Sequence, residues 1–192
     1  MPTTYYLIGG TKKSESKTKL FTDIFTSVSK SDIKILLCLW SIDVDKWDKK
    51  FVEFKKESSL HTKKNIKIEI VKDVEDLNKK MPDFDIFYVV GGHAYNIEPY
   101  YSQLSNLKEW LEGKIYVGSS MGAFMVSSNY ILSFDDQDYL TVHNGLSLLK
   151  INTLCHWDKE KRREMKIKML KDESPDLPIL TLDEGQFVKF VI

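Results

Sequence analysis

IKILLCLW at residues 33–40 and DIFYVV at residues 85–90 decide the fold. Both are nearly unbroken apolar runs, short and rich in β-branched and aromatic residues, as expected of parallel strands with helices on both faces. Working outward, similar runs occupy residues 4–8 and 66–71. Between them Trp47, Phe51 and Phe54 recur at helical spacing among lysines and acids, a stripe that reads as core and not as a ligand box. Tyr100, Leu104, Leu107 and Leu111 repeat the pattern and predict one helix that ends at Gly113, with a strand starting at Lys114. Strands alternating with helices predict a three-layer α/β/α sandwich with a mostly parallel sheet. No repeat or Pro/Gly-rich linker interrupts the pattern, so residues 1–192 read as one domain, with residues 186–191 as an edge strand.

The charge balance narrows the function classes. Acidic and basic residues number 28 each, and the lysines are spread along the chain, which argues against a nucleic-acid partner. No stretch approaches the roughly 20 apolar residues that span a bilayer, and the N-terminus lacks a leader pattern, so a cytoplasmic location without membrane association is expected. Cys38 and Cys155 form no C-x-x-C pair and read as buried thiols. No metal-ligand spacing is present, and no cofactor is expected.

KIYVGSSMGAFMVSSNYIL at residues 114–132 carries the chemistry. Gly118-Ser119-Ser120-Met121-Gly122 matches G-x-S-x-G between an apolar strand and an apolar helix, the context in which a sharp turn lifts a serine hydroxyl out of a sheet. An ordinary glycine-bounded turn is the bland alternative. Ser119 is off the motif register and is given no chemistry. A tetrahedral intermediate needs two convergent N–H donors. Met121 N–H supplies one, and Gly91-Gly92, just past the strand 85–90, offers the other. Gly9-Gly10 also follows a strand and reads as a structural turn.

Among four histidines, His61 reads as exposed at a lysine-rich helix end and His143 as near the Asn144-Gly145 turn. His93 follows the glycine loop and could touch substrate. His156 ends the strand-like run INTLCH and is the better base, with Cys155 on the opposite face of the strand. The residue that orients it is Glu184, beside Gly185 after LPILTL, or one of Asp135, Asp136 and Asp138; residue physics leans toward Glu184 without closing the choice.

YVVGGHAYNI, YVGSSMGAFMVSS, GLSLLKINTLCHWDKEKRRE and LPILTLDEGQFV together resemble the dipeptidase E family of serine peptidases, which includes the cyanophycinases. The resemblance runs over most of the chain. It implies a fold similar to class I glutamine amidotransferases, in the flavodoxin-like group, and a Ser-His-Glu triad at Ser120, His156 and Glu184. It further implies hydrolysis of short peptides, in some members after aspartate. Met121 replaces the usual alanine, which leaves the backbone N–H intact, and His93 replaces the usual asparagine, which bears on what the pocket accepts. Arg162 and Arg163, the only arginines, fall where the family's substrate-binding arginine lies; a solvated helix face is the other reading. A monomer or homodimer acting on small peptides is expected. An esterase using Ser120, Asp136 and His156, or a catalytically silent ligand-binding member of the fold, are the alternatives.

Overall fold

A computed structural model describes residues 1–11, 14–133 and 140–192. Its main sheet has six strands: β1 (Thr4–Ile8), β2 (Asp32–Cys38), β3 (Asn65–Val71), β4 (Ile86–Val89), β5 (Ile115–Ser119) and, last in the chain, β10 (Phe187–Val191). Their order is β10-β1-β5-β4-β2-β3, and every pairing is parallel except that of β10 with β1. The expected strands are present with bounds shifted by a residue or two, and the final run is an edge strand.

Alternation within the strands divides the apolar side chains between two faces. Tyr6, Ile8, Ile35, Leu37, Tyr88 and Val117 point to one face, where α1 (Ser14–Ser27) supplies Leu20, Phe21, Ile24 and Phe25 and α2 (Trp47–Ser59) supplies Phe51 and Phe54. Tyr5, Leu7, Leu36, Phe87, Val89 and Tyr116 point to the other, against α3 (Val74–Lys80), α4 (Ala94–Ile97), α5 (Leu107–Trp110) and the wholly buried α6 (Met121–Val126). This is the expected sandwich. The predicted helix over residues 100–111 is instead a 3-10 stretch, Glu98–Gln103, followed by the single turn α5; Pro99 marks the start of the first piece, and Gly113, at φ 71°, turns the chain into β5.

A second sheet was not foreseen. Four short strands, β6 (Asn129–Ile131), β7 (Val142–Asn144), β8 (Asn152–Cys155) and β9 (Ile179–Leu182), pair in the order β7-β6-β8-β9, with α7 (Arg163–Glu173) packed over them through Leu170. β8 and β9 fall within the strand-like runs INTLCH and LPILTL, whereas β6 and β7, three residues each, are too short for alternation to separate them from loops in the sequence.

At the carboxyl ends of the neighbouring strands β1, β5 and β4 the chain continues as Gly9-Gly10, Ser120 and Gly91-Gly92 respectively. Backbone packs on backbone there. A Cβ on Gly118 would come within 2.4 Å of the Gly122 carbonyl, and one on Gly122 within 2.5 Å of the Val89 carbonyl oxygen. We therefore expect Gly118→Ala and Gly122→Ala each to lower unfolding free energy by about 1–3 kcal/mol, as overpacked cores do. Denaturant titration checks this, and a midpoint equal to wild type at both positions contradicts the packing described.

Candidate active site

Ser120 stands between β5 and α6 with φ 49° and ψ −104°, a backbone conformation that a residue with a side chain seldom adopts. Its N–H donates to Ile8 O at 2.8 Å, which ties the turn to β1, and α6 behind it is entirely buried. The turn presents the hydroxyl at the sheet's edge: Ser120 Oγ lies 3.0 Å from His156 Nε2. His156 follows β8 of the second sheet in the left-handed region, φ 54° and ψ 36°, from which the chain enters a 3-10 turn over Trp157–Lys159.

The other ring nitrogen, His156 Nδ1, lies 2.9 Å from Glu184 Oε2. Glu184 occupies the β9–β10 connection, which passes from one sheet to the other. The segment Asp183-Glu184-Gly185-Gln186 closes on itself through Gln186 N–H to Asp183 O, with Gly185 at φ 83° in the position of such a turn that favours glycine. The Glu184 side chain is only 2% exposed. Lys159 Nζ also donates to Oε2, at 3.1 Å, and Glu184 N–H donates to Asp158 Oδ1. Gly10 lies against the carboxylate: a Cβ there would meet Oε1 at 2.3 Å. Gly10 is thus no mere structural turn. The signal for it, a glycine pair at the end of β1, was in the sequence but carried no spacing that distinguished it.

Sequence order alone did not indicate how the pieces meet. The hydroxyl comes from the main sheet and the imidazole from the second, with the carboxylate on the link between them, and not from one edge of a single sheet. Asp135, Asp136 and Asp138 lie outside the described residues, whereas the Nδ1 side of His156 is taken by Glu184.

The glycine loop is held by Ser41, which the sequence reading missed. Its carbonyl accepts from His93 N–H at 2.7 Å, and its hydroxyl donates to Val90 O at 2.9 Å. A Cβ on Gly92 would lie 2.1 Å from the Ser41 carbonyl oxygen, so position 92 has no room for a side chain. Gly91, Gly92, Ser120, His156 and Glu184 line one cleft of about 410 Å³. Met121 opens α6, where a backbone N–H has no acceptor within its own helix.

Other candidates are placed elsewhere. His93 is exposed and stacks on Tyr95, outside the cleft lining. Arg162 and Arg163 also lie outside it: the Arg163 guanidinium donates to Trp157 O at 2.8 Å and covers the Trp157 ring, and both arginines border a separate surface depression. His61 is not the exposed residue expected, because its ring stacks on Phe21 and its side chain is 12% exposed. His143 lies within β7, its Nδ1 2.9 Å from Glu98 Oε1, rather than at a hairpin tip. Cys155 Sγ lies beneath the elbow, 3.9 Å from Ser120 O, and burial followed by the Glu184 charge pushes the thiol well up, so it is no thiolate. Among the described residues no cluster of histidine, cysteine and acid could hold a metal ion.

A buried ion pair secures the segment after His156. Lys166 Nζ bonds Glu160 Oε2 and donates to Leu132 O at 2.6 Å, while Glu160 Oε1 accepts from Arg162 N–H. Burial alone would raise the Glu160 carboxyl, but the Lys166 hydrogen bond, the Arg162 N–H and the lysine charge outweigh it and hold the carboxyl below its usual range.

The fold and this site define an α/β protein with a hydrogen-bonded hydroxyl, imidazole and carboxylate at the carboxyl ends of its strands. The model of peptidase family S51 matches residues 7–191, and the chain belongs to that family. It is similar in structure to a candidate peptidase E protein from Listeria monocytogenes EGD-e, at 19% identity and a TM-score of 0.66 over 100% of this chain and 98% of that one. It is also similar to a peptidase from an acI-B1 Actinobacterium, at 16% identity and a TM-score of 0.63 over 100% of this chain and 88% of that one. At such identities the likeness is one of fold. No curated protein matches the chain.

Because a depressed carboxyl stabilises the native state above the unfolded carboxylate's pKa, about 4.3, the Glu160 contribution is complete at neutral pH and is lost as pH falls through the lower native value. Glu160→Gln, which leaves Lys166 buried without its counter-charge, should cost about 3–5 kcal/mol at pH 7. The difference from wild type should shrink below about pH 4. Denaturant melts at both pH values check it; a pH-independent difference would be the contrary result.

Proposed function

We propose that the protein is a serine peptidase acting on short peptides through an acyl-enzyme. The observation that carries this reading is the unbroken chain from Ser120 Oγ through the two nitrogens of His156 to Glu184 Oε2, at 3.0 and 2.9 Å. With the Nδ1 proton directed at the carboxylate, Nε2 is left to accept the serine proton. Ser120 Oγ then adds to the peptide carbonyl carbon, and the oxyanion is received by Gly92 N–H and Met121 N–H. His156 returns the proton to the leaving amine as the C–N bond breaks. Water, deprotonated by the same nitrogen, hydrolyses the ester and regenerates Ser120. Every proton is accounted for without a cofactor.

Cleft size supports a small substrate, since about 410 Å³ accommodates a few residues and not a folded chain. The cytoplasm is the compartment we assign, because both cysteines are free and buried and no helix of the described residues is long and apolar enough to cross a membrane.

Replacing Ser120 with alanine should lower kcat by about 10⁶, and Glu184→Gln by about 10⁴, with folding preserved by circular dichroism. A fluorophosphonate should label wild type and fail on Ser120→Ala, read by intact mass. Folded wild-type protein that takes no label would instead identify a silent, ligand-binding member of the family.

A further inference from the structure

Part of the cleft's lining forms an arm on the face of the main sheet that packs against α1 and α2. From Ser120 and the glycine loop it runs between α1 and α2 over the end of β4, and Phe21, Phe54 and Tyr88 line it. The rings form one cluster, Phe54 edge-on to Tyr88 at 4.7 Å and to Phe21 at 5.9 Å, with Phe21 and Tyr88 stacked at 6.2 Å. Tyr88 adds no charge, because burial and then the nearby Glu57 push its hydroxyl well up.

Among the described residues the rim of this arm is charge-balanced. Its cations among the described residues are Lys17 and Lys50, and each already has an acid: Lys17 lies 3.5 Å from Glu57 and Lys50 2.9 Å from Glu53. Of the described cations, a substrate carboxylate entering here would have to take a lysine from its glutamate, and it would then face Glu53 and Glu57 across an apolar floor. Arginine, which binds carboxylates best, is not available: the chain's two arginines, Arg162 and Arg163, lie outside this cleft.

We infer that this aromatic arm is the specificity subsite and takes a neutral apolar or aromatic side chain beside the scissile bond in preference to aspartate. The assignment rests on the serine-peptidase reading above. Phe54 is its selectivity residue, since it is only partly buried and belongs to an outer helix rather than to the sheet.

The test uses the full chain and dipeptides of alanine with phenylalanine, leucine or aspartate in either position, with fluorophosphonate labelling of Ser120 as an independent measure of the nucleophile. The expected result is a kcat/KM for phenylalanine or leucine peptides, in one of the two positions, at least about tenfold above that for the aspartate peptides. Phe54→Ala should cut that advantage by about tenfold while Ser120 still takes the label. Should the alanine variant fail to fold, Phe54→Leu keeps apolar volume and should move the preference from phenylalanine toward leucine. Label together with equal or better cleavage of aspartate peptides overturns the subsite alone, as does a preference untouched by both Phe54 variants. Absence of label in folded protein removes the peptidase reading and the subsite with it.

Discussion

Glu184 carries its charge at the seam between two sheets with a side chain 2% exposed, and a buried carboxylate persists only where donors and opposite charge surround it. Its environment follows from that requirement. His156 and Lys159 both meet Oε2, the neighbouring turn is fixed by Glu184 N–H on Asp158, and position 10 has no side chain because the carboxylate occupies the space one would need. The β9–β10 link is where the chain leaves the second sheet for the edge of the first. One turn therefore sets both the position of the acid and the docking of the two sheets.

Ser120, the proposed nucleophile, depends on the same crowding seen from the other side. A serine at φ 49° is costly in isolation, on the order of 1–3 kcal/mol, and persists where its surroundings leave no alternative. Here Ile8 O holds its N–H, Gly91 leaves only 3.0 Å between its missing Cβ and Ser120 Cβ, and α6 is buried along its whole length. Strain at one residue is offset by packing from three strands. The hydroxyl is consequently held toward His156, which is the preorganisation that the proposed acyl transfer requires.

The main sheet was legible because its strands are buried on both faces and advertise themselves as apolar runs. The elbow was legible because G-x-S-x-G fell between a strand and a helix. Glu184 could be favoured over the aspartates at residues 135–138 only through its glycine neighbour and the family resemblance. What the sequence concealed has a common physical origin in contacts between backbone and distant side chains. Gly10 and Ser41 act through the absence of a Cβ and through a carbonyl, neither of which leaves a pattern in neighbouring residues. The arginines have a chemistry that suits a carboxylate, but the Arg163 guanidinium donates to the Trp157 carbonyl and covers its ring, contacts that leave no pattern in the sequence. Phe54 was read as core, and it is both core and cleft lining, because the helix stripe that packs on the sheet ends at the strand tips where the cleft opens.

Lys159 shows how the seam can serve two charge states. It shares Glu184 Oε2 with His156, so an ammonium and an imidazole meet the carboxylate at the same oxygen. In the acyl transfer proposed above, His156 takes the serine proton and a further positive charge arrives at the same oxygen. Glu184 is packed against Gly10, and in the proposed step the imidazole must keep its contact with the reacting atoms. The Lys159 side chain is 53% exposed, and a solvated ammonium gives up an ion pair at little cost. On that proposal lysine is the member of the trio that yields, keeping the buried carboxylate matched before the proton moves and leaving it to the imidazolium afterwards.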